Sequence, residues 1–135
     1  MKKVFLDTNV ILDFVLHRDG EIQTMDILQM GEDKKISLCT SFLSMANIAY
    51  ILRKLPPKDL YRILSLLTTM FDVLPMTKEH FSKALRIENV DFEDVLQYVC
   101  AKESKCDCII TSNKKHFIFS DMQIYSPIDF LGTNK

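Results

Sequence analysis

The sequence predicts an α/β fold, a three-layer α/β/α sandwich with a short-stranded, mostly parallel sheet. Three observations lead there. Short apolar runs recur along the chain without the polar alternation of a sheet wetted on one side. Segments with helical spacing of apolar residues stand between those runs. The 135 residues are 47% apolar with only 3 Gly and 4 Pro, which suits one buried core and not two. Residues 1–135 are therefore expected to form a single domain.

Each element has a local reason. Lys3–Leu6 is an apolar run and the first strand. Thr8–Leu16 follows as a helix with Val10, Ile11, Phe14 and Val15 on one face. Glu21–Met30 is a second helix, expected to stop at Gly31. After the strand Ile36–Cys39, a helix over Ser41–Lys54 is capped by Thr40 or Ser41 and closed by Pro56-Pro57. Lys58–Thr69 is the next helix and Phe71–Leu74 the next strand. Thr77 caps Lys78–Ile87, Asp91 caps Phe92–Lys102, and the strands Cys108–Thr111 and Gln123–Tyr125 complete the sheet. Right-handed crossovers wind such a chain into a doubly wound sandwich, which places a ligand at the carboxyl ends of the strands, near the switch in strand order.

Composition excludes several classes. With 17 Lys+Arg against 18 Asp+Glu the formal charge is −1, so a nucleic-acid surface must be a local patch. The absence of Trp and the presence of only 4 Tyr argue against a base-stacking platform. Lys2-Lys3 and the apolar residues after them resemble a signal-peptide start, but Asp7 and Asp13 interrupt the run and no cleavage site follows. No stretch reaches the roughly 20 apolar residues of a membrane helix. Cys39, Cys100, Cys106 and Cys108 read as reduced, buried thiols, so the expected location is cytoplasmic and away from membranes. A zinc site from Cys106, Cys108 and one of His17, His80 or His116 lacks the paired spacing of structural zinc sites. No glycine-rich phosphate fingerprint is present.

Polar residues break the apolar pattern at the expected ligand edge. Asp7 closes the first strand, where it either caps the helix from Thr8 or faces a site; a carboxylate between apolar runs is costly to bury without a cation or donors. In Asp91-Phe92-Glu93-Asp94, Asp91 is the cap and Glu93 is expected to point to solvent. Asp94 is spaced four and seven residues from Tyr98 and Ala101, nearer the inward face. Asn47 is an amide in a small, apolar helical stretch, suited to a helix contact or to a ligand. Thr111-Ser112-Asn113 follows the fourth strand, and Lys114, Lys115 and His116 come next. Arg53, Lys54, Lys58 and Arg62 flank the Pro-Pro turn. Such charge runs are solvated surface in most proteins, yet beside an acidic pocket they suit phosphates.

Leu6-Asp7-Thr8-Asn9-Val10-Ile11-Leu12-Asp13, then Phe92-Glu93-Asp94, then Ile109-Ile110-Thr111-Ser112-Asn113 and a closing Phe117 together resemble the PIN domain, in particular its small VapC-type toxin ribonucleases. The resemblance runs along nearly the whole chain. It implies acids at the carboxyl edge of the sheet that bind Mg²⁺ or Mn²⁺ and cut RNA by metal-activated water. Asp7 matches the first acid and Asp94 the third; the second falls at Asn47, the fourth at Asn113, and a further Asp of the family is replaced by His116. The roles implied are metal binding for Asp7 and Asp94, water or phosphate positioning for Asn113 and Thr111, a supporting position for Asn47, Thr8 and Asn9, and phosphate contacts for Lys114, Lys115 and His116. Fewer carboxylates imply one cation rather than two. The resemblance also implies a homodimer and a small antitoxin partner, in keeping with the apolar supply of the helices between Ser41 and Thr69. Two rivals stand beside it. A PIN fold with weakened or lost catalysis would bind RNA or a protein partner. A phosphoreceiver-like signalling domain needs an acceptor Asp ending the third strand, and Val73-Leu74-Pro75-Met76-Thr77 offers none.

Overall fold

The computed structural model describes residues 1–134; Lys135, the last residue of the expected domain, lies outside the described residues. The strands are β1 (Lys2–Leu6), β2 (Ile36–Ser41), β3 (Asp72–Leu74), β4 (Cys108–Ile110) and β5 (Gln123–Tyr125). They form one sheet in the order β3-β2-β1-β4-β5, and every neighbouring pair is parallel. The helices are α1 (Thr8–Val15), α2 (Glu21–Glu32), α3 (Phe42–Ile51), α4 (Pro57–Met70), α5 (Lys78–Leu85), α6 (Phe92–Glu103) and α7 (Pro127–Asn134), with a 3₁₀ turn at Lys114–Phe117.

The strands are apolar throughout because both sheet faces are covered. Val4, Leu6, Leu38, Cys108 and Ile110 pack into one core with residues of α1 to α4 and α7. Phe5, Cys39, Leu74 and Ile109, alternating with them along the strands, pack into a second core with Ala84 of α5 and Val95, Val99 and Ala101 of α6. This is the predicted α/β/α sandwich. No helix among the described residues is long and apolar enough to cross a membrane.

Three local expectations change. The helix expected to stop at Gly31 runs on to Glu32, and the chain turns instead at Lys34, whose φ is 58°. Gly31 is inside the helix for packing: a Cβ there would come within 2.4 Å of Leu38 Cδ1. The second change is α7, which has no counterpart in the sequence reading. Its Phe130 and Leu131 are buried in the first core, and that docking holds a short helix of modest propensity. Finally, α3 ends at Ile51, short of Lys54, and Pro57 starts α4, where its missing N–H costs nothing.

Candidate metal centre

The central strands β1 and β4 are neighbours although their connections leave in opposite directions, so the switch in strand order falls between their carboxyl ends. There the Asp7 N–H donates to the Ile110 carbonyl at 3.0 Å, which sets Asp7 beside Thr111. The helices α1, α3 and α6 begin nearby, capped by Asp7, Ser41 and Asp91 in turn. Their amino-terminal dipoles favour negative charge at this edge.

Asp7 is buried and has both oxygens occupied. Oδ1 accepts from the Thr8 N–H at 2.9 Å and Oδ2 from Thr111 Oγ1 at 3.0 Å. Burial raises its pKa above the ordinary carboxylate range, against the lowering effect of those two donors. Both readings of Asp7 therefore meet in one residue: it caps α1 and it lines a cleft.

Beneath Asp7 lies a buried polar network. Thr8 Oγ1 donates to Ser44 Oγ at 2.8 Å, Gln97 Nε2 donates to Ser44 Oγ at 2.8 Å, and Ser41 Oγ donates to Gln97 Oε1 at 2.5 Å. Gln97 is only 1% exposed. It ties α6 to the starts of α1 and α3, so three elements that carry the cleft are fixed to one another.

Asp94 extends from the first turn of α6, inward as its spacing from the buried Tyr98 and Ala101 requires. Its side chain is 13% exposed. Oδ2 lies 3.1 Å from His116 Nδ1, off hydrogen-bonding geometry, and is buried without a hydrogen-bond partner. Burial first, then the charges of Asp91 and Asp7, push Asp94 up to about 7, with His116 opposing them.

A cleft of about 370 Å³ joins these groups. Asp7, Thr8, Asn9, Asn47, Asp94, Thr111, Asn113 and His116 all line it. Lys114 and Lys115 do not; Lys114 Nζ pairs instead with Asp129 Oδ2 of α7 at 3.2 Å. The cleft also takes in residues that sequence reasoning left out: Tyr50 and Ile51 of α3, and Asp91 and Glu93. Glu93 does not simply face solvent, because Asn47 Nδ2 donates to its Oε1 across the cleft. The acidic first turn of α6 was the available signal for Asp91 and Glu93, and cap chemistry alone accounted for it. Four carboxylates, from Asp7, Asp91, Glu93 and Asp94, thus share one concavity. Among the described residues, Asp91, Asp94 and His116 are the group whose ligand atoms lie within 4.8 Å of one another. Cys39, Cys100 and Cys108 are buried free thiols, and Cys106 is a half-buried one.

A buried carboxylate oxygen with no donor, in a cleft of further carboxylates, is an arrangement that a divalent cation satisfies. Oxygen donors of this kind suit Mg²⁺ and Mn²⁺. The residues present fit a cation.

The fold and this acidic edge define a PIN domain. The PIN domain family model matches residues 3–115, and the chain belongs to that family. Among characterised proteins, it is 29% identical to Ribonuclease VapC1 of Aquifex aeolicus (strain VF5), over 96% of this chain and 93% of that relative. Among solved structures, it resembles a chain of the DNA-bound VapBC from Salmonella typhimurium, with a TM-score of 0.75 and 16% identity over 94% of this chain and 99% of that one. VapBC-1 from nontypeable Haemophilus influenzae matches with a TM-score of 0.72 and 20% identity, over 93% and 98% of the two chains. At these identities the solved structures speak for the fold.

Proposed function

We propose that this protein is a metal-dependent endoribonuclease of the VapC type and the toxin of a toxin–antitoxin pair. The observation that carries the reading is Asp94 Oδ2, buried without a hydrogen-bond partner beside three further carboxylates at the switch in strand order. The similarity to a protein named a ribonuclease supports RNA as the substrate class.

Asp7 and Asp94 would hold the cation, Mg²⁺ or Mn²⁺. When bound, such a cation polarises a phosphodiester and lowers the pKa of a coordinated water. The chain's own groups orient the reactants. Thr111 fixes the Asp7 carboxylate, and Thr8 fixes it from the backbone side. Asn113, whose N–H donates to Thr111 Oγ1 at 3.2 Å, is placed to position water or a phosphate oxygen. Asn47 orients Glu93, which brings a carboxylate to the corner where the family's second acid is missing. Asn9 and His116 border the cleft, and Lys115 with Lys114 just outside it would meet the phosphates of a longer RNA.

Residues 1–135 would work as one cytoplasmic domain. The exposed Phe42, Tyr50, Ile51 and Leu66 on α3 and α4 support a homodimer and a small antitoxin as protein partners. The solved structures named for VapBC complexes support an antitoxin as one such partner. A PIN fold that binds RNA or protein without cutting has Asn47 and His116, each in the place of a family acid, in its favour, and Glu93 in the cleft weighs against it. The test is Mn²⁺ binding by calorimetry together with RNA cleavage: both present in the wild type and both lost in Asp94→Ala support the proposal. Binding unchanged in Asp94→Ala removes it.

A further inference from the structure

The donor set of this cleft is not all oxygen. His116 occupies the place of a family acid and brings an imidazole to within ligand spacing of Asp91 and Asp94. Its Nδ1 faces Asp94 Oδ2, the oxygen that lacks a hydrogen-bond partner. On the far side of the ring, His116 Nε2 lies 2.9 Å from the Asn113 side-chain amide. An amide can present either its oxygen or its nitrogen, so Asn113 can accept from a protonated Nε2 and leave Nδ1 free as a donor of its lone pair. A polar partner on the outer ring nitrogen is the usual companion of a metal-binding histidine, because it fixes the ring and its tautomer.

We propose that His116 is a cation ligand together with Asp91 and Asp94, and that this cleft therefore selects a cation that accepts nitrogen, such as Mn²⁺ or Co²⁺, over Mg²⁺. Mg²⁺ demands near-octahedral oxygen coordination and sheds water reluctantly, so a single imidazole in the set works against it. Mn²⁺ and Co²⁺ accept mixed nitrogen and oxygen ligands, with affinity rising toward Co²⁺. Asp7 lies outside this close group of three, and its oxygens, each accepting one hydrogen bond from Thr8 or Thr111, keep lone pairs for the same cation but add only further oxygen donors. His116 rather than Asp7 then sets which cation is preferred. The inference rests on the proposed metal-dependent function and adds to it the identity of the cation and a ligand from the turn after β4.

The test titrates Mg²⁺, Mn²⁺ and Co²⁺ separately into wild type, His116→Asn and His116→Asp, by calorimetry and, for Co²⁺, by its visible absorption. His116 is half exposed on a turn, so both variants keep the fold. The expected result is that wild type binds Mn²⁺ and Co²⁺ more tightly than Mg²⁺. His116→Asn weakens Co²⁺ and Mn²⁺ about tenfold or more and shifts the Co²⁺ spectrum, while Mg²⁺ binding changes little. His116→Asp moves the preference back toward Mg²⁺. Equal affinities for the three cations in wild type, or Co²⁺ affinity and spectrum untouched by His116→Asn, overturn the inference while leaving a metal site in place. No binding of any cation by the wild type overturns it together with the proposed function.

Discussion

Asn47 and Glu93 meet across the cleft, the Asn47 amide donating to the Glu93 carboxylate. One sits in α3 and the other in the first turn of α6. The contact turns a surface acid into part of an acidic pocket and ties the middle of α3 to the first turn of α6. Replacing the amide by an acid tests how closely charged the pocket is. Asn47→Asp places a fifth carboxylate in the cleft against Glu93, and like charges at this range cost about 1 kcal/mol at partly exposed sites. The variant should melt a few degrees lower than wild type at pH 8 in EDTA. It should regain that loss, or exceed it, in millimolar Mn²⁺, as thermal melts in the two buffers will show.

Asp94 makes a prediction about pH. Its pKa, pushed up to about 7 from the ordinary 3.8, means the folded protein holds a proton that the unfolded chain has released between those values. Its neutral form stabilises the fold fully below about pH 4, and that contribution is lost as pH rises through 7. Asp7, raised by burial, acts in the same direction. Asp91 and Glu93 add to the repulsion around Asp94, and His116 opposes it. In EDTA, Asp94→Asn should therefore raise the melting temperature at pH 8, by about 1–2 kcal/mol or several degrees, and have little effect at pH 4. Divalent cation should stabilise the wild type at pH 8 and not this variant.

The buried network under the cleft predicts a large structural loss. Gln97→Leu keeps the side-chain volume but leaves the hydroxyls of Ser41 and Ser44 with fewer partners in a site that water does not reach. Unsatisfied buried polar groups cost about 1–3 kcal/mol each. A loss of about 2–4 kcal/mol in chemical denaturation is expected, and an unchanged midpoint would mean the network contributes little.

How much of this was legible in the sequence depends on whether the cause was local. The strands and their order of appearance followed from short apolar runs, and the inward turn of Asp94 from its helical spacing to Tyr98 and Ala101. Asp7 and Thr111 were legible as polar residues ending apolar strands. Glu93 was not, because what draws it into the cleft is an amide 46 residues earlier. Asp91 read as a cap, which it is, and its approach to His116 depends on where the turn after β4 folds back. Gly31 carried the mark of a helix stop, and only the approach of Leu38 from β2 shows it to be a packing residue. The helix α7 exists because Phe130 and Leu131 find a core built by distant segments.

Gly31→Ala separates those two roles. A stop glycine inside a helix should tolerate Ala and gain up to about 1 kcal/mol of helix propensity. A packing glycine should lose about 1–2 kcal/mol as Leu38 is displaced. Chemical denaturation is expected to show the loss.

The partner surface predicts a mass. With Phe42, Tyr50, Ile51 and Leu66 exposed on α3 and α4, light scattering at tens of micromolar should give twice the 15.7 kDa of the chain. Phe42→Lys should shift it toward the monomer, and a monomeric wild type would remove the dimer.

The most direct measurement is cleavage of a structured RNA by purified protein in Mn²⁺, wild type against Asp7→Asn, with an EDTA control. Asp7→Asn keeps the size of the side chain and an oxygen for the Thr8 N–H while removing the charge at the switch in strand order. Cleavage by the wild type that EDTA abolishes, and that falls at least about a hundredfold in the variant, is the predicted result for loss of a carboxylate that holds the cation. Equal cleavage by both proteins, or cleavage that persists in EDTA, would contradict a metal-dependent ribonuclease built on this acidic edge.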